Sequence, residues 1–260
     1  MNTSEPRRGR LCVVGLGPGA DALLTDQVRA SIASATDAFG YFPYIARLDG
    51  MEHLQLHASD NREELERARN ALDLASQGRQ VLMLSSGDPG VFAMASAVFE
   101  VLESAAPEEQ ARWAAVDIEV QPGITAMLAA AARLGAPLGH DFCCINLSDN
   151  LKPASVIERR IRLAAQADFA MAFYNPCSTS RPEGFARALK VLKEECEPQR
   201  LICLARNVSR PDETLKVLPL DTVTADMADM RTVVIVGNRM TRQVGKHVYT
   251  PRRYGLPAHE

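Results

Sequence analysis

The amino-acid sequence predicts an α/β fold made of two dissimilar α/β domains, and three observations support this prediction. The composition is that of a folded, soluble protein, because 47% of the 260 residues are hydrophobic and 23% are charged. Short apolar runs alternate with longer amphipathic segments, which is typical of strands joined by crossover helices. In the first half of the chain, a loop that contains glycine follows each of three apolar runs.

The first half is predicted to contain three strand–loop–helix units. Their strands cover residues 11–14, 81–84 and 116–120, and their helices cover 24–33, a segment that ends near 103, and 126–134. The apolar spacing of Leu65, Ala68, Leu72 and Ala75 predicts a further helix with Asp60 as its N-cap. Ligands of open α/β sheets bind outside the carboxyl ends of the strands, so we expect the three loops to line one rim.

A turn-rich stretch, residues 148–153, separates this half from the second one. We place the domain boundary there, which gives domains of residues 1–148 and 149–260. The later predicted elements are strands over 167–173, 201–205, 214–218 and 232–236 and a helix over 183–195. The last two strands lack a long helix between them, which favours antiparallel pairing and a mixed sheet.

Charge and cysteine content exclude several classes of protein. The formal net charge of −3 lacks the basic excess of a nucleic-acid-binding protein. The six cysteines show no CxxC spacing, which indicates thiols in a reducing compartment. No stretch reaches the roughly 18 apolar residues of a membrane span, and the polar N-terminus lacks the apolar core of a signal peptide. We therefore expect a cytoplasmic protein that binds neither membranes nor nucleic acid.

The first loop, Gly15-Leu-Gly-Pro-Gly-Ala20, satisfies the G-x-G-x-x-G/A pattern of dinucleotide-binding loops. Two details disfavour NAD as the ligand. Pro18 removes a backbone N–H that would contact a pyrophosphate, and the predicted second strand, residues 38–42, ends without the acidic residue that binds a ribose. Asp37 lies at the opposite end of that strand. A tight turn with a purely structural role is the other interpretation.

The second and third loops carry groups that could bind a ligand. Ser86 and Gly87 precede Asp88, whose carboxylate could cap the following helix or hold a cation or an ammonium group. The third loop adds Thr125 and Ala126, a hydroxyl and a small residue at the start of a helix. Each of these features also fits an ordinary turn.

In the second half, Tyr174 and Asn175 directly follow a predicted strand. An aromatic ring and an amide in this position suit stacking on, and hydrogen bonding to, a planar heterocycle, although an ordinary turn is the alternative. His53 and His57 have the i, i+4 spacing of helical metal ligands, but no third ligand accompanies them, so we expect no metal site. The pair Cys143-Cys144 is interpreted as part of the core.

Taken in order, these motifs resemble the tetrapyrrole methylase family. The matching segments are Val14–Gly19 with Leu24-Thr25, Ser86–Pro89, Pro122–Ala126, Leu147–Asp149, Tyr174–Pro176 and Val233–Asn238. They extend over nearly the whole chain, and six motifs in the same order with comparable spacing make a chance resemblance improbable. Within the family, residues 40–45, 138–142, 174–178 and 206–213 are most similar to the enzymes that methylate C17 of precorrin-3B in cobalamin biosynthesis.

The resemblance implies methyl transfer from S-adenosylmethionine, bound in a cleft between the two domains, to a carbon of a uroporphyrinoid macrocycle. S-adenosylhomocysteine is the implied product, and a homodimer is the implied assembly. Matched motif by motif, the implied cofactor-binding residues are Pro18, Ser86, Gly87, Asp88, Val91, Thr125, Ala126, Tyr174, Asn175, Ala205 and Val208.

The resemblance to the C17 enzymes also implies ring contraction, which requires removal of a proton from a C20 hydroxyl. Four residues carry groups that could accept this proton: Asp88, which we take as the candidate catalytic residue, His140, Tyr41 and Tyr44. The sequence leaves the choice among them open. Related uroporphyrinogen methylases have a Tyr-Asp-Arg segment where this chain has Tyr41-Phe-Pro-Tyr44, so their acid–base roles are not transferred.

We expect the macrocycle to contact Tyr41, Tyr44, His140 and Arg206. Arg181, Arg206 and Arg210 are the arginines that could pair with its carboxylates.

Four alternatives remain at this point. The methyl acceptor could be another carbon of the macrocycle, or the cobalt-containing substrate of the oxygen-independent pathway. The first loop could serve a nicotinamide-dependent oxidoreductase. The chain could also be a protein that sequesters the macrocycle without turnover.

Overall fold

A computed structural model describes residues 8–178 and 182–253. The chain divides into two compact units, Met1–Thr125 (unit 1) and Ala126–Glu260 (unit 2). All six cysteines are free thiols. Across the described ranges, each helix is too short or too polar to span a membrane.

Unit 1 contains a parallel five-stranded sheet. Its strands are β1 (Arg10–Gly15), β2 (Asp37–Tyr41), β3 (Gln55–Ser59), β4 (Gln80–Ser85) and β5 (Asp117–Gln121). Its helices are α1 (Asp26–Ser34), α2 (Phe42–Ile45), α3 (Glu64–Ser76), α4 (Met94–Glu103) and α5 (Pro107–Trp113). The strand order is β3-β2-β4-β1-β5, and every pair is parallel.

Side chains on both faces of this sheet are buried. Leu11 and Val13 join one apolar cluster with α3 and α4, whereas Cys12 and Val14 join a second cluster with α1. Helices cover both faces, so the central strands are apolar at every position rather than at every second one. This explains why the short apolar runs of the sequence locate β1 and β4.

Unit 2 contains a mixed five-stranded sheet. Its elements are α6 (Ala126–Leu134), β6 (Gly135–Ala136), β7 (Phe142–Asn146), α7 (Ala154–Gln166), β8 (Ala170–Tyr174), α8 (Gly184–Glu195), β9 (Leu201–Arg206), β10 (Thr214–Pro219), β11 (Thr232–Val236), β12 (Arg242–Val244) and β13 (His247–Tyr249). The large sheet has the order β10-β9-β11-β8-β7, and a small sheet has the order β12-β13-β6. Strands β7 and β8 are parallel, and β11 is antiparallel to both β8 and β9.

The predicted α/β class and the mixed second sheet are confirmed, but two details are wrong. Strands β10 and β11 do not pair with each other, because each lies antiparallel beside β9. Helix α3 begins at Glu64 and not next to Asp60, which lies in a turn whose backbone carbonyl accepts hydrogen bonds from Glu63 and Arg67.

The division into compact units falls 23 residues earlier than the boundary after residue 148 that the sequence predicts. Helix α6 packs against β11 and β13, and β7 pairs with β8, so both elements belong to unit 2. The apolar, alanine-rich sequence of α6 carries no sign of which sheet the helix covers.

A buried ion network holds the amino edge of β8 and β9. Arg200 donates two hydrogen bonds to Glu197 (2.8 and 2.9 Å) and one to the Gly237 carbonyl (3.0 Å), and it lies 3.4 Å from a carboxylate oxygen of Asp168. Burial by itself would lower the pKa of Arg200, but the hydrogen bonds to Glu197 and the nearby acidic groups raise it. The guanidinium therefore stays charged in the interior.

We expect Arg200→Met to lower the free energy of unfolding by about 3–5 kcal/mol, because it leaves the buried Asp168 carboxylate without the charge of Arg200. The matched control is Arg162→Met, which breaks exposed pairs with Glu194 and Glu195 and should cost less than about 1 kcal/mol. Urea unfolding followed by circular dichroism measures both changes. Equal, small changes in the free energy of unfolding of the two variants would contradict the stabilising role of Arg200.

Candidate active site

Three loops of unit 1 lie side by side at one edge of its sheet. Loop 1 (residues 16–20) follows β1, loop 2 (residues 86–90) follows β4, and loop 3 (residues 122–125) follows β5. Strands β4, β1 and β5 are parallel neighbours, so all three loops leave the sheet at its carboxyl edge. The prediction that they line one rim is confirmed.

Loops 1 and 2 are joined by their backbones. The Gly17 amide donates to the Gly87 carbonyl (3.1 Å), and the Gly87 amide donates to the Gly17 carbonyl (2.9 Å). Both residues have positive φ angles, 67° and 61°, which glycine adopts without the penalty that a side chain imposes. This bridge is the structural reason for glycine at both positions.

Loop 3 packs against the same bridge at very short range. A Cβ atom on Gly123 would lie 2.1 Å from the Gly87 carbonyl oxygen, and one on Gly15 would lie 2.6 Å from it. No side chain fits at either position. Three backbones therefore meet with no side chains between them.

Asp88 connects loops 2 and 3 through both oxygens of its carboxylate. Oδ1 accepts from the Gly90 amide (2.8 Å), and Oδ2 accepts from the Gly123 amide (3.1 Å). The carboxylate does not cap α4, because that helix begins at Met94 and has no side-chain cap. The interpretation of Asp88 as a helix cap is thus wrong.

The same geometry answers the question of dinucleotide binding. The Leu16 amide donates to the Ser85 carbonyl (2.8 Å), the Gly17 amide donates to Gly87, and Pro18 has no amide hydrogen. The first three positions of loop 1 therefore offer no free amide to a pyrophosphate. The oxidoreductase alternative has no support in this loop.

The remaining predicted residues of unit 1 lie on or beside the rim. Pro18 and Thr125 are buried, whereas Ser86 and Val91 are half-buried. Ala126, the next residue along the chain, begins α6 in unit 2.

Tyr41 ends β2 and Tyr44 lies in α2, and their rings pack edge to face with centroids 5.6 Å apart. Since β2 pairs with β4, this aromatic segment borders loop 2 at the carboxyl edge.

Two further residues at this rim are not predicted by any sequence motif. Arg47 donates to the Leu16 carbonyl (2.8 Å) and pairs with Asp21 (3.0 Å), which fixes the outer side of loop 1. Phe92 has a positive φ of 53°, which is costly for an aromatic residue, and its side chain is largely exposed. Neither residue belongs to a motif, so only the folded backbone locates them.

Unit 2 has its own set of polar loops at the carboxyl edge of β7, β8 and β9. Asn175, with a positive φ of 52°, donates from its side-chain amide to Oδ1 of Asn146 (3.1 Å). The Tyr174 hydroxyl accepts from the Met127 amide at the start of α6 (2.8 Å). Tyr174 and Asn175 are thus held by neighbouring elements of the same unit.

The end of β9 and the turn after it contain three more of the predicted residues. Ala205 and Val208 are buried. Arg206 pairs with Asp229 (2.9 Å), whose hydrogen bonds with Arg206 and Thr232 lower the pKa of its carboxyl despite burial. The guanidinium of Arg206 is therefore already engaged by a carboxylate of this chain.

The structure does not bring His140 to this edge. His140 precedes β7, and β7 is parallel to β8, so His140 lies at the amino edge of the sheet, opposite Tyr174. Arg210 is exposed, and Arg181 falls outside the described residues. His57 lies on strand β3, where it contacts Asp37 (3.1 Å), and His53 contacts the Ile32 carbonyl (3.1 Å).

Comparison with known proteins gives matches over almost the whole chain. The family model for Tetrapyrrole (Corrin/Porphyrin) Methylases matches residues 10–224. The precorrin-3B C(17)-methyltransferase of a Sinorhizobium species is 48% identical over 251 residues, which cover 95% of this chain and 97% of that protein. The probable cobalt-factor III C(17)-methyltransferase of Salmonella typhimurium is 36% identical over 247 residues, 95% of this chain and 100% of that protein.

Among solved structures, the crystal structure of the methyltransferase CobJ has a TM-score of 0.89 and 59% sequence identity to this chain. The match covers 94% of this chain and 100% of that chain. It confirms the α/β architecture that the sequence predicts.

We expect Asp88→Ala to accelerate amide hydrogen exchange at Gly90 and Gly123 by roughly 10- to 100-fold, because each amide loses a hydrogen bond to a charged acceptor. Asp88→Asn keeps one acceptor oxygen and should affect only one of the two amides strongly. Asp26→Ala, at an exposed site on α1, is the control. Unchanged protection of both loops in Asp88→Ala would show that the carboxylate does not hold them.

Proposed function

The chain belongs to the tetrapyrrole (corrin/porphyrin) methylase family, and on that premise we propose that it transfers a methyl group from S-adenosylmethionine to C17 of precorrin-3B. The proposed reaction includes contraction of the macrocycle to precorrin-4 and belongs to cobalamin biosynthesis. The observation that carries the proposal is the similarity to the Sinorhizobium enzyme over nearly the full length of both proteins.

We propose that the rims of both units contribute cofactor-binding residues. In unit 1 they are Pro18, Ser86, Gly87, Asp88, Val91 and Thr125, and in unit 2 they are Ala126, Tyr174, Asn175, Ala205 and Val208. The occupied amides of Leu16 and Gly17, followed by Pro18, support a ligand without phosphates, such as S-adenosylmethionine. When bound, this cofactor supplies a methyl group that its sulfonium makes electrophilic.

The main task of the protein is then to align the cofactor with the macrocycle. A reactant held in a near-attack position can lower the barrier by roughly 7–11 kcal/mol. The backbone bridge between loops 1 and 2 and the Asp88 carboxylate make the unit 1 rim rigid before any ligand arrives. Asp88 acts in this proposal by positioning the loops, since both of its oxygens already accept hydrogen bonds.

For the macrocycle, we propose Tyr41 and Tyr44 as contact residues. Their position at the end of β2, beside loop 2, supports this assignment. Arg206 contacts Asp229 through Nε alone, so its terminal guanidinium nitrogens could pair with a substrate carboxylate while that contact is kept. His140 gains no support from its place at the opposite edge of the sheet in unit 2. Tyr41 or Tyr44, once deprotonated to the phenolate, is accordingly our candidate base for the C20 hydroxyl proton.

The similarity to the Salmonella protein supports a second candidate, methylation of a cobalt-containing substrate at the same carbon. Both candidates use the same cofactor and the same type of macrocycle, and they differ in the metal at its centre. The higher identity to the Sinorhizobium enzyme favours the metal-free substrate.

We also propose that the protein is a cytoplasmic homodimer. Six free thiols support a reducing compartment. The dimer is supported by the family resemblance, and light scattering of the purified protein measures it directly.

The cofactor is tested by calorimetric titration with S-adenosylhomocysteine, with NAD as the paired control. We expect saturable binding of S-adenosylhomocysteine and no binding of NAD, because the first three positions of loop 1 offer no free amide to a pyrophosphate. Binding of NAD alone would refute the proposed function.

The site of methylation is tested with methyl-labelled S-adenosylmethionine and precorrin-3B. We expect a product with one added labelled methyl group, which carbon NMR assigns to C17. Cobalt-factor III serves as the parallel substrate, and faster turnover of that compound would favour the second candidate. A labelled methyl group on another carbon would contradict both.

A further inference from the structure

Binding a tetrapyrrole requires two kinds of contact. The macrocycle presents broad apolar faces and a periphery of carboxylates, so a protein that binds it needs an apolar side chain over a face and cations at the edge. One loop of unit 2 offers both within two adjacent residues.

This loop, residues 148–153, leaves the sheet beside the proposed cofactor-binding residues of unit 2. Asn146 lies opposite Tyr174 in the parallel pair of β7 and β8, and the Leu147 amide donates to the Tyr174 carbonyl (2.9 Å). Oδ1 of Asn146 accepts from both the Asn175 side chain (3.1 Å) and the Ser148 amide (2.9 Å). The loop therefore begins at the same edge as Tyr174 and Asn175.

Leu151 stands out in this loop because its side chain is 96% exposed, whereas no other exposed large apolar residue in the described ranges exceeds 61%. The loop is anchored, since Asp149 pairs with Arg187 on α8 (2.9 Å). A single exposed leucine is ordinary on a protein surface. A leucine that is almost fully exposed beside proposed ligand-binding residues would instead be buried by an apolar ligand.

Lys152, the next residue, is half-buried and forms no ion pair with any carboxylate of the described residues. Burial and the nearby positive charge of Arg160 both lower its pKa. Lys152 and Arg160 place two positive charges near each other, and no acidic side chain among the described residues compensates Lys152. This arrangement favours the binding of an anionic group.

We propose that residues 148–153 form a substrate-binding loop, in which Leu151 packs on an apolar face of the macrocycle and the Lys152 ammonium pairs with one of its peripheral carboxylates. This inference rests on the proposed function, because it assigns a subsite for that substrate class.

Steady-state kinetics of Leu151→Ser and Lys152→Gln with precorrin-3B test the proposal. We expect Leu151→Ser to raise KM for the macrocycle about tenfold, with kcat and the affinity for S-adenosylhomocysteine within about twofold of wild type. Lys152→Gln should raise KM about two- to fivefold and weaken its dependence on ionic strength. The matched controls are Leu163→Ser, exposed on α7, and Lys216→Gln, exposed on β10, which should leave KM unchanged.

Binding of uroporphyrin III, a stable polycarboxylate macrocycle, gives a readout that needs no turnover. We expect its affinity, followed by fluorescence, to fall in Leu151→Ser in the same proportion as KM rises. A wild-type KM and wild-type uroporphyrin affinity in Leu151→Ser would overturn the loop assignment while leaving the proposed function intact. A change in oligomeric mass with no change in KM would also overturn it, because Leu151 would then lie in an interface between copies.

A wild-type protein that transfers no methyl group to any tetrapyrrole would refute the proposed function instead. In that case, uroporphyrin binding that still depends on Leu151 would support the loop as a macrocycle-binding element.

Discussion

The candidate site of unit 1 depends on the close approach of three backbones at the carboxyl edge of one sheet. Gly17 and Gly87 exchange amide hydrogen bonds, and Gly123 lies so close to Gly87 that a Cβ atom would clash with it. Asp88 completes the arrangement by accepting amides from two loops. These contacts explain why the first loop matches a dinucleotide pattern: Gly15 and Gly17 serve contact with neighbouring loops, and the Leu16 and Gly17 amides are used within the protein.

The two units build their rims in different ways. Unit 1 relies on backbone-to-backbone hydrogen bonds that need glycine. Unit 2 relies on side chains, with Asn146 and Asn175 joined through their amides and Asn207 bonded to Asp212 (2.6 Å). Asn175 and Asn207 both have positive φ angles, which asparagine tolerates better than most residues. Unit 1 thus has rigid main chain at its rim, and unit 2 has polar side chains at its own.

Much of the architecture follows from the sequence because its central strands are buried on both faces. The bounds of α6 and β11 agree with the predicted ones, since each is a short run that is apolar except for one residue, Arg133 in α6 and Thr232 in β11. Strand β3 was missed because it is a sheet edge with polar, partly exposed residues such as Gln55. Partners distant in sequence, such as Asp88 and Gly123 or Arg206 and Asp229, also leave no local pattern. The motifs could therefore be placed on a rim, but the engagement of Asp88 and Arg206 could not be foreseen.

The packing of Gly15, Gly87 and Gly123 also restricts how such a protein can diversify. Where a Cβ atom has no room, single substitutions are removed by selection whatever ligand the protein binds. The rim can then stay unchanged while substitutions in other segments alter the substrate preference. The segments freer to vary are those that take no part in this packing, such as residues 41–45 and 148–153. A change of macrocycle could thus evolve without disturbing the rim.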